Sequence, residues 1–250
     1  MNYHWNWTIL SAPAPDGSPT YLLMLLSGAM TTVLVAACAA VLAILLGVPL
    51  GIARRIGGPI AGLAAAYVEV FRNIPLLAQM FLWYFVFPEL LPMGLQTLAK
   101  QSSHAPFVLG TLSLGLYTAA RICEQVRSAL GAIPRGQSMA GLALGLRPVQ
   151  LYRYVLLPRA FRMIVPTLTS EFISIVKNSA VLLTIGVMEL TASARAMQEF
   201  SFQVFEAFLV ATALYLSINF VIVALMNLVE RRLVTAGVVD GISGRRGSQK

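Results

Sequence analysis

Six side chains in this sequence set charge or amide chemistry among apolar neighbours: Glu69 and Arg72, Arg121 and Glu124, Lys177 and Asn178. An ionised group near the centre of a bilayer costs roughly 2.5–3.5 kcal/mol on insertion scales, so such groups neutralise a neighbour or meet a charged solute. Glu69 and Arg72 stand at i and i+3 and can offset each other on one helical face. Arg121 and Glu124 share that spacing. On a helix that starts near Pro106, Arg121 lies about 22 Å along at the usual rise per residue. That is past the midplane of a hydrocarbon core about 30 Å thick. A guanidinium there offers a planar fork that matches a carboxylate with two hydrogen bonds. It can equally pair with Glu124 or extend toward the headgroups. Lys177 and Asn178 stand where a helix is expected to break before Ser179, facing either a pathway or a neighbouring helix. Other chemistry lacks its residues. His4 and His104 are far apart, no metal-ligand spacing occurs, and none of Lys100, Lys177 and Lys250 sits in a phosphate-cradling G-x-x-x-x-G-K-[ST] loop. No Ser-His or His-His pairing falls in the apolar stretches. The expectation is no catalytic residue, no metal and no cofactor in this chain, and no nucleic-acid partner.

The elements that must position these groups are membrane spans. Of 250 residues, 58% are apolar and 11% charged, against about 25% charged in an ordinary soluble domain. A spanning helix needs about 20 predominantly apolar residues. Five stretches qualify: Tyr21 to Ala53; Ile60 to Phe87, carrying Glu69 and Arg72; from Pro106 through Arg121, Glu124 and Arg127; Met163 to Ile185, carrying Glu171 and Lys177; and Phe205 to Val229. Cys38 and Cys123 lie within them and read as small apolar filler. The first stretch lacks a basic flank and a small-residue cleavage site, so it reads as a retained span. No internal repeat is evident, which disfavours a self-contained carrier built from two related halves.

Basic residues orient the spans. From Gln125 to Ser170 there is no acidic residue, yet Arg127, Arg135, Arg147, Arg153, Arg159 and Arg162 are all present. With five spans, Arg54, Arg55, Arg231, Arg232, Arg245, Arg246 and Lys250 fall on that same side, while the opposite loops hold only Lys100 and Arg195. The positive-inside bias puts the dense side in the cytoplasm and the N-terminus outside. The expected organisation is an outer segment 1–19, with Trp5 and Trp7 suited to the interface, a membrane domain 20–233 containing a cytoplasmic loop 131–160, and a cytoplasmic tail 234–250, frayed over Gly237 to Lys250.

Within that loop, Gln137 to Leu144 suits a short helix ended by Gly145, and Pro148 suits the first turn of a second helix. Met139, Leu142 and Leu146 lie at i, i+3 and i+7, an apolar ridge on a helix otherwise built of Ala140, Gly141 and Ala143. A narrow ridge rimmed by arginine fits a groove on a partner protein; a basic connector facing lipid headgroups is the simpler alternative.

The order Pro134-Arg135-Gly136-Gln137, a small-residue helix, Gly145-Leu146 and then Leu157-Pro158 resembles the coupling loop of ABC importer permeases of the polar amino acid family. Tyr67 to Leu77, Glu124-Gln125-Val126-Arg127 and Glu171 to Ser179 resemble that family's second-, third- and fourth-span patterns, in order, over roughly Tyr21 to Leu233. The resemblance implies an all-α, MetI-like type I importer fold with about five spans in a bacterial inner membrane. It implies docking on ABC ATPase subunits through Pro134, Arg135, Gly136, Gln137, Met139, Ala140, Leu142, Gly145 and Leu146. ATP and Mg would be bound by that ATPase, with a second permease chain and a periplasmic solute-binding protein as further partners. Where the family commonly reads Glu-Ala-Ala, this chain reads Met139-Ala140-Gly141, which implies apolar docking. Cys123-Glu124-Gln125, Leu142 to Gly145 and Gln198 to Glu206 are most similar to glutamate/aspartate permeases, and Arg121 suits the side-chain carboxylate of such a substrate. A permease for neutral or basic amino acids, and a non-transporting membrane scaffold, remain open at this level.

Overall fold

The structure is a computed structural model; it describes residues 3–246, with side-chain surroundings described to residue 233, Leu98 excepted. A short 3-10 turn, Trp7–Ser11, precedes α1 (Tyr21–Ile56), and α2 (Pro59–Asn73) follows after Gly57 and Gly58. Next come α3 (Leu76–Phe81), a π-helical turn over Leu82–Val86, a 3-10 turn over Phe87–Leu90 and α4 (Met93–Gln101). Then follow α5 (Ala105–Ala132), α6 (Arg135–Ala143), α7 (Pro148–Leu151) with a π-helical turn over Tyr152–Leu156, and α8 (Leu157–Asn178). A 3-10 segment Ser179–Ile185, α9 (Leu190–Ser201) and α10 (Val204–Arg246) complete the chain.

The register of α1 on α5 decides how often the chain crosses. Leu42 packs at Gly115, Gly47 faces Ala119 and Ile122, and Gly51 faces Cys123 and Val126, so both numbers rise together and the helices run parallel. A Cβ at Gly47 would stand 2.7 Å from the Ala119 carbonyl oxygen, and one at Gly51 would stand 2.6 Å from that of Cys123. Small residues are what let two backbones approach this closely in a membrane. Parallel neighbours require the intervening chain to return to the starting end. That return is the bent pair Pro59–Asn73 and Leu76–Leu90, two helical pieces meeting at 109°. With the long apolar helices Tyr21–Ile56, Ala105–Ala132, Pro148–Ile185 and Val204–Leu233, this makes the expected five crossings.

The bend has a local cause. Pro75 lacks an N–H and pushes Ile74 out of the helical region, to φ −94° and ψ 130°. The carbonyls released at the break are taken up by one side chain: Gln79 Nε2 donates to the Phe71 oxygen at 2.7 Å and to the Ile74 oxygen at 2.8 Å. Gln79 is buried, so both carbonyls are satisfied without water.

Arg54 and Arg55, the α5–α8 connection and the far end of α10 share one end of the bundle. At the opposite end, Tyr21, Met24 and Leu25 of α1 pack with Leu190 and Met197 of α9 and with Ala207 of α10. Glu189 fixes this end. It is buried, caps α9 by accepting from the backbone N–H of Thr191 (3.0 Å) and Ala192 (2.8 Å), and accepts from the Tyr215 hydroxyl at 2.8 Å. Thr32 of α1 completes the knot, accepting the Leu190 N–H at 3.2 Å. At its far end α10 runs to Arg246. Residues 247–250 of the expected tail lie outside the described residues.

Candidate functional site

One face of α5 carries Tyr117, Arg121, Glu124, Gln125 and Ser128, spaced so that all fall on one stripe. Glu171 of α8 meets it. The Arg121 Nε lies 2.9 Å from Glu171 Oε2, and Nη2 donates to Oε1 at 3.2 Å. Gln125 Nε2 donates to the same Oε1 at 2.7 Å, and Gln125 Oε1 in turn accepts from Thr167 Oγ1 at 3.0 Å. The Arg121 guanidinium also lies over the Tyr117 ring, 5.9 Å from its centroid. Glu171 is buried while the Arg121 side chain stays 39% exposed. The carboxylate therefore anchors the guanidinium, whose remaining N–H groups open into a cavity of about 520 Å³ lined by these residues and by Arg72.

A second cavity of about 330 Å³ adjoins it, lined by Arg54, Val68, Glu69, Arg72, Asn73 and Glu124. Arg72 and Glu124 line both. Glu124 is already committed: Arg54 of α1 donates to it, and Arg127 Nε lies 3.0 and 3.1 Å from its two oxygens. Glu124 thus ties the Arg-rich ends of α1 and α5 together. Three guanidinium groups, those of Arg54, Arg72 and Arg121, and three carboxylates, those of Glu69, Glu124 and Glu171, line the two cavities. The space is polar, and its charges balance.

The structure places the expected site residues as follows. Arg121 does not pair with Glu124, which is turned toward Arg54 and Arg127; its partner is Glu171 across the helix interface. Glu69 and Arg72 are both exposed, and no ion pair joins them among the described residues, because each points into the cavity beside α2 and not along its surface. Lys177 and Asn178 line neither cavity; Lys177 is exposed at the end of α8, which does stop before Ser179. Glu171, Gln125, Tyr117 and Arg54 are the site-lining residues that sequence spacing did not select. The available signal for Glu171 was its charge inside an apolar stretch.

The α5–α8 connection folds as two short helices on the bundle's end. α6 starts at Arg135, directly after Pro134, two residues earlier than expected. It ends with Gly145 in the left-handed region, φ +82°, where Leu146 N–H reaches back to the Gly141 oxygen at 3.1 Å. The apolar ridge differs from the expected one. Met139 (64% exposed) and Leu142 (51%) point outward, but Leu146 packs inward on the core formed by Ile133, Leu151 and Leu156. Its place is taken by Leu144, 84% exposed, and Val149, 77% exposed. Gly141 is small because Leu151 lies on it; a Cβ there would sit 2.6 Å from Leu151 Cδ1.

Comparison with known proteins agrees with this architecture. The family described as "Binding-protein-dependent transport system inner membrane component" matches residues 39–235. The glutamate/aspartate import permease protein GltJ of Escherichia coli (strain K12) is 45% identical over 245 residues, covering 96% of this chain and all of that protein. The glutamine transport system permease protein GlnP of the same organism is 31% identical over 211 residues, covering 84% of this chain and 93% of GlnP. Among solved structures, an amino acid ABC transporter determined with histidines superposes with a TM-score of 0.72 at 28% identity, over 85% of this chain and 95% of that one. The MetNI methionine transporter, in its inward-facing form, shares the fold with a TM-score of 0.68 at 23% identity, over 85% of this chain and 97% of its own. With the family matched from Ala39 to Thr235 and a relative aligned along nearly the whole chain, this protein belongs to the inner-membrane components of binding-protein-dependent transport systems, as a multi-pass permease of the ABC importer type.

Proposed function

We propose that this permease carries glutamate and aspartate, and that Arg121, with Arg72 and the carboxylates Glu69 and Glu124 around it, forms the path they take. The observation that carries the reading is Arg121 itself: a guanidinium anchored by Glu171, partly exposed, and lining a polar cavity. Full-length likeness to a glutamate/aspartate permease supports the same substrate. A basic substrate is disfavoured, because Glu171 is already engaged by Arg121 and Gln125, and Glu124 by two arginines.

Transport proceeds by alternating access, driven by ATP and Mg bound on separate ABC ATPase subunits, with no catalytic residue in this chain. A second permease chain completes the pathway, and a periplasmic solute-binding protein delivers substrate. The Arg-rich end is cytoplasmic by the positive-inside bias. That puts residues 1–19 in the periplasm, residues 131–160 against the ATPase, and residues 234–250 in the cytoplasm. Pro134, Arg135, Gly136, Gln137, Met139, Ala140, Leu142, Gly145 and Leu146 form the coupling segment. Met139 and Leu142 make the contact, Leu144 and Val149 extend it, and Leu146 fastens the segment to the bundle.

Arg121→Lys tests the substrate contact without leaving Glu171 buried and unpaired, as Arg121→Ala would. Loss of the planar fork removes about one charge-assisted hydrogen bond, roughly 1.4 kcal/mol, or about tenfold. The expected result in the reconstituted complex is maximal glutamate uptake lowered by about that factor, with normal complex assembly. Unchanged uptake would remove Arg121 from the pathway.

A further inference from the structure

Residues 3–15 form a feature outside the proposed pathway. Residues 3–15 contain no Asp, Glu, Lys or Arg, but hold Tyr3, Trp5 and Trp7. They lie across the end of the bundle where α1 and α10 begin. Ile9, Leu10 and Ala12 pack inward on the cluster made by α1, α9 and α10, and the Ala12 oxygen accepts the Tyr21 N–H at 3.0 Å. Polar contacts strap the segment to α10. The Tyr3 hydroxyl bonds Gln203 Oε1 at 2.8 Å and the Glu206 carboxylate, and the Asn6 N–H donates to Glu206 Oε1 at 2.7 Å. Glu206 is fully buried beneath the strap.

The outward face is aromatic. Trp5 and Trp7 stack, with ring centroids 5.6 Å apart and planes 6° apart, and Trp5 lies 5.7 Å from the Phe205 ring. Trp5, Trp7 and Phe205 are each about half exposed. Beside them, at the α9–α10 turn, Phe202 holds a left-handed backbone, φ 59°, and is 83% exposed. A large residue held at positive φ is unfavourable, and in water its open ring would return nothing. Phe205 opens α10, the candidate span with the smallest buried share, and Phe208 and Leu209 continue its exposed apolar surface.

We infer that residues 3–11, with Phe202 and Phe205, form an anchor that lies in the lipid headgroup interface and pins the start of α10 at that depth. Aromatic rings are favoured at this level of a bilayer, and a charge-free segment loses little hydration by entering it. Continuity with the exposed apolar surface of α10, a candidate membrane span, favours lipid over a soluble partner. This inference is independent of the substrate and of which end faces the cytoplasm.

Trp5, Trp7 and Trp83 are the chain's three tryptophans, which supplies the probe. Trp83→Phe leaves the stacked pair as the emitters. The protein is reconstituted in phosphatidylcholine vesicles brominated either near the glycerol end or near the methyl end of the acyl chain. Rings lying about 5–10 Å into the headgroup–acyl boundary should be quenched about twofold more by the shallow bromines. Aqueous iodide should quench little until Tyr3→Phe loosens the strap. Strong iodide quenching with none from either lipid would overturn the inference and leave the surface open to a soluble protein. Stronger quenching by the deep bromines would overturn it as well. Should Trp83→Phe assemble poorly, the difference between the native chain and Trp5→Phe/Trp7→Phe gives the same reading.

Discussion

Single carboxylates do most of the joining in this bundle, and each is set by its neighbours. Glu171 is buried but faces Arg121, and Glu124 sits between Arg54 and Arg127. Glu189 differs: it is buried, lies in the turn before α9 outside the spanning segments, and has no cationic partner among the described residues. Burial pushes its carboxyl above the ordinary 4.5, with hydrogen bonds from Thr191, Tyr215, Ala192 and Thr32 opposing the shift. The sign follows from proton linkage. The folded state holds the proton more tightly, so this group's contribution is full below pH 4.5. It is eroded as pH rises toward the folded value and is constant above it. Glu189→Gln removes that erosion while keeping one oxygen to cap α9. Thermal unfolding in detergent should therefore show the variant gaining on the parent between acidic and neutral pH. A constant difference across that range would contradict the assignment.

Helices here are positioned by absences as much as by contacts. α1 and α5 meet where Gly47, Gly51 and Gly115 leave room, and overpacking such a contact typically costs about 1–3 kcal/mol. Gly51→Ala should lower the unfolding temperature and loosen the Arg54–Glu124 tie, whereas Gly62→Ala, which meets nothing within 4 Å, should not. Equal effects would deny the close approach. The sequence already shows the spans themselves, since composition and length suffice for Tyr21 to Ala53 or Phe205 to Val229. It also shows the breaks at Ser179 and Gly145. What spacing along one helix could not supply is the partner from another. Arg121 is three residues from Glu124 and fifty from Glu171, and the packing of α5 on α8 chooses the second. The same limit applies to Leu146. Its period places it on the ridge with Met139, but α6 ends at Gly145, the chain reverses, and the side chain turns into the core.

At the scale of the molecule, two regions lie along one bundle: the polar cavities around Arg121 and Arg72, and the exposed apolar α6–α7 ridge at the Arg-rich end. Glu124 and its two arginines tie the ends of α1 and α5 together beside the cavities. Met139→Asp with Leu142→Asp should abolish ATP-driven transport and co-purification with the ATPase, while the isolated permease stays folded. Retained co-purification would move the docking surface elsewhere. The most direct test of the whole account is ATP-dependent uptake of labelled glutamate by the complex in proteoliposomes, with aspartate, glutamine and arginine as competitors. The account predicts uptake that requires ATP and is blocked by aspartate alone. Block by glutamine or arginine, or no ATP-linked uptake from an intact complex, would contradict it.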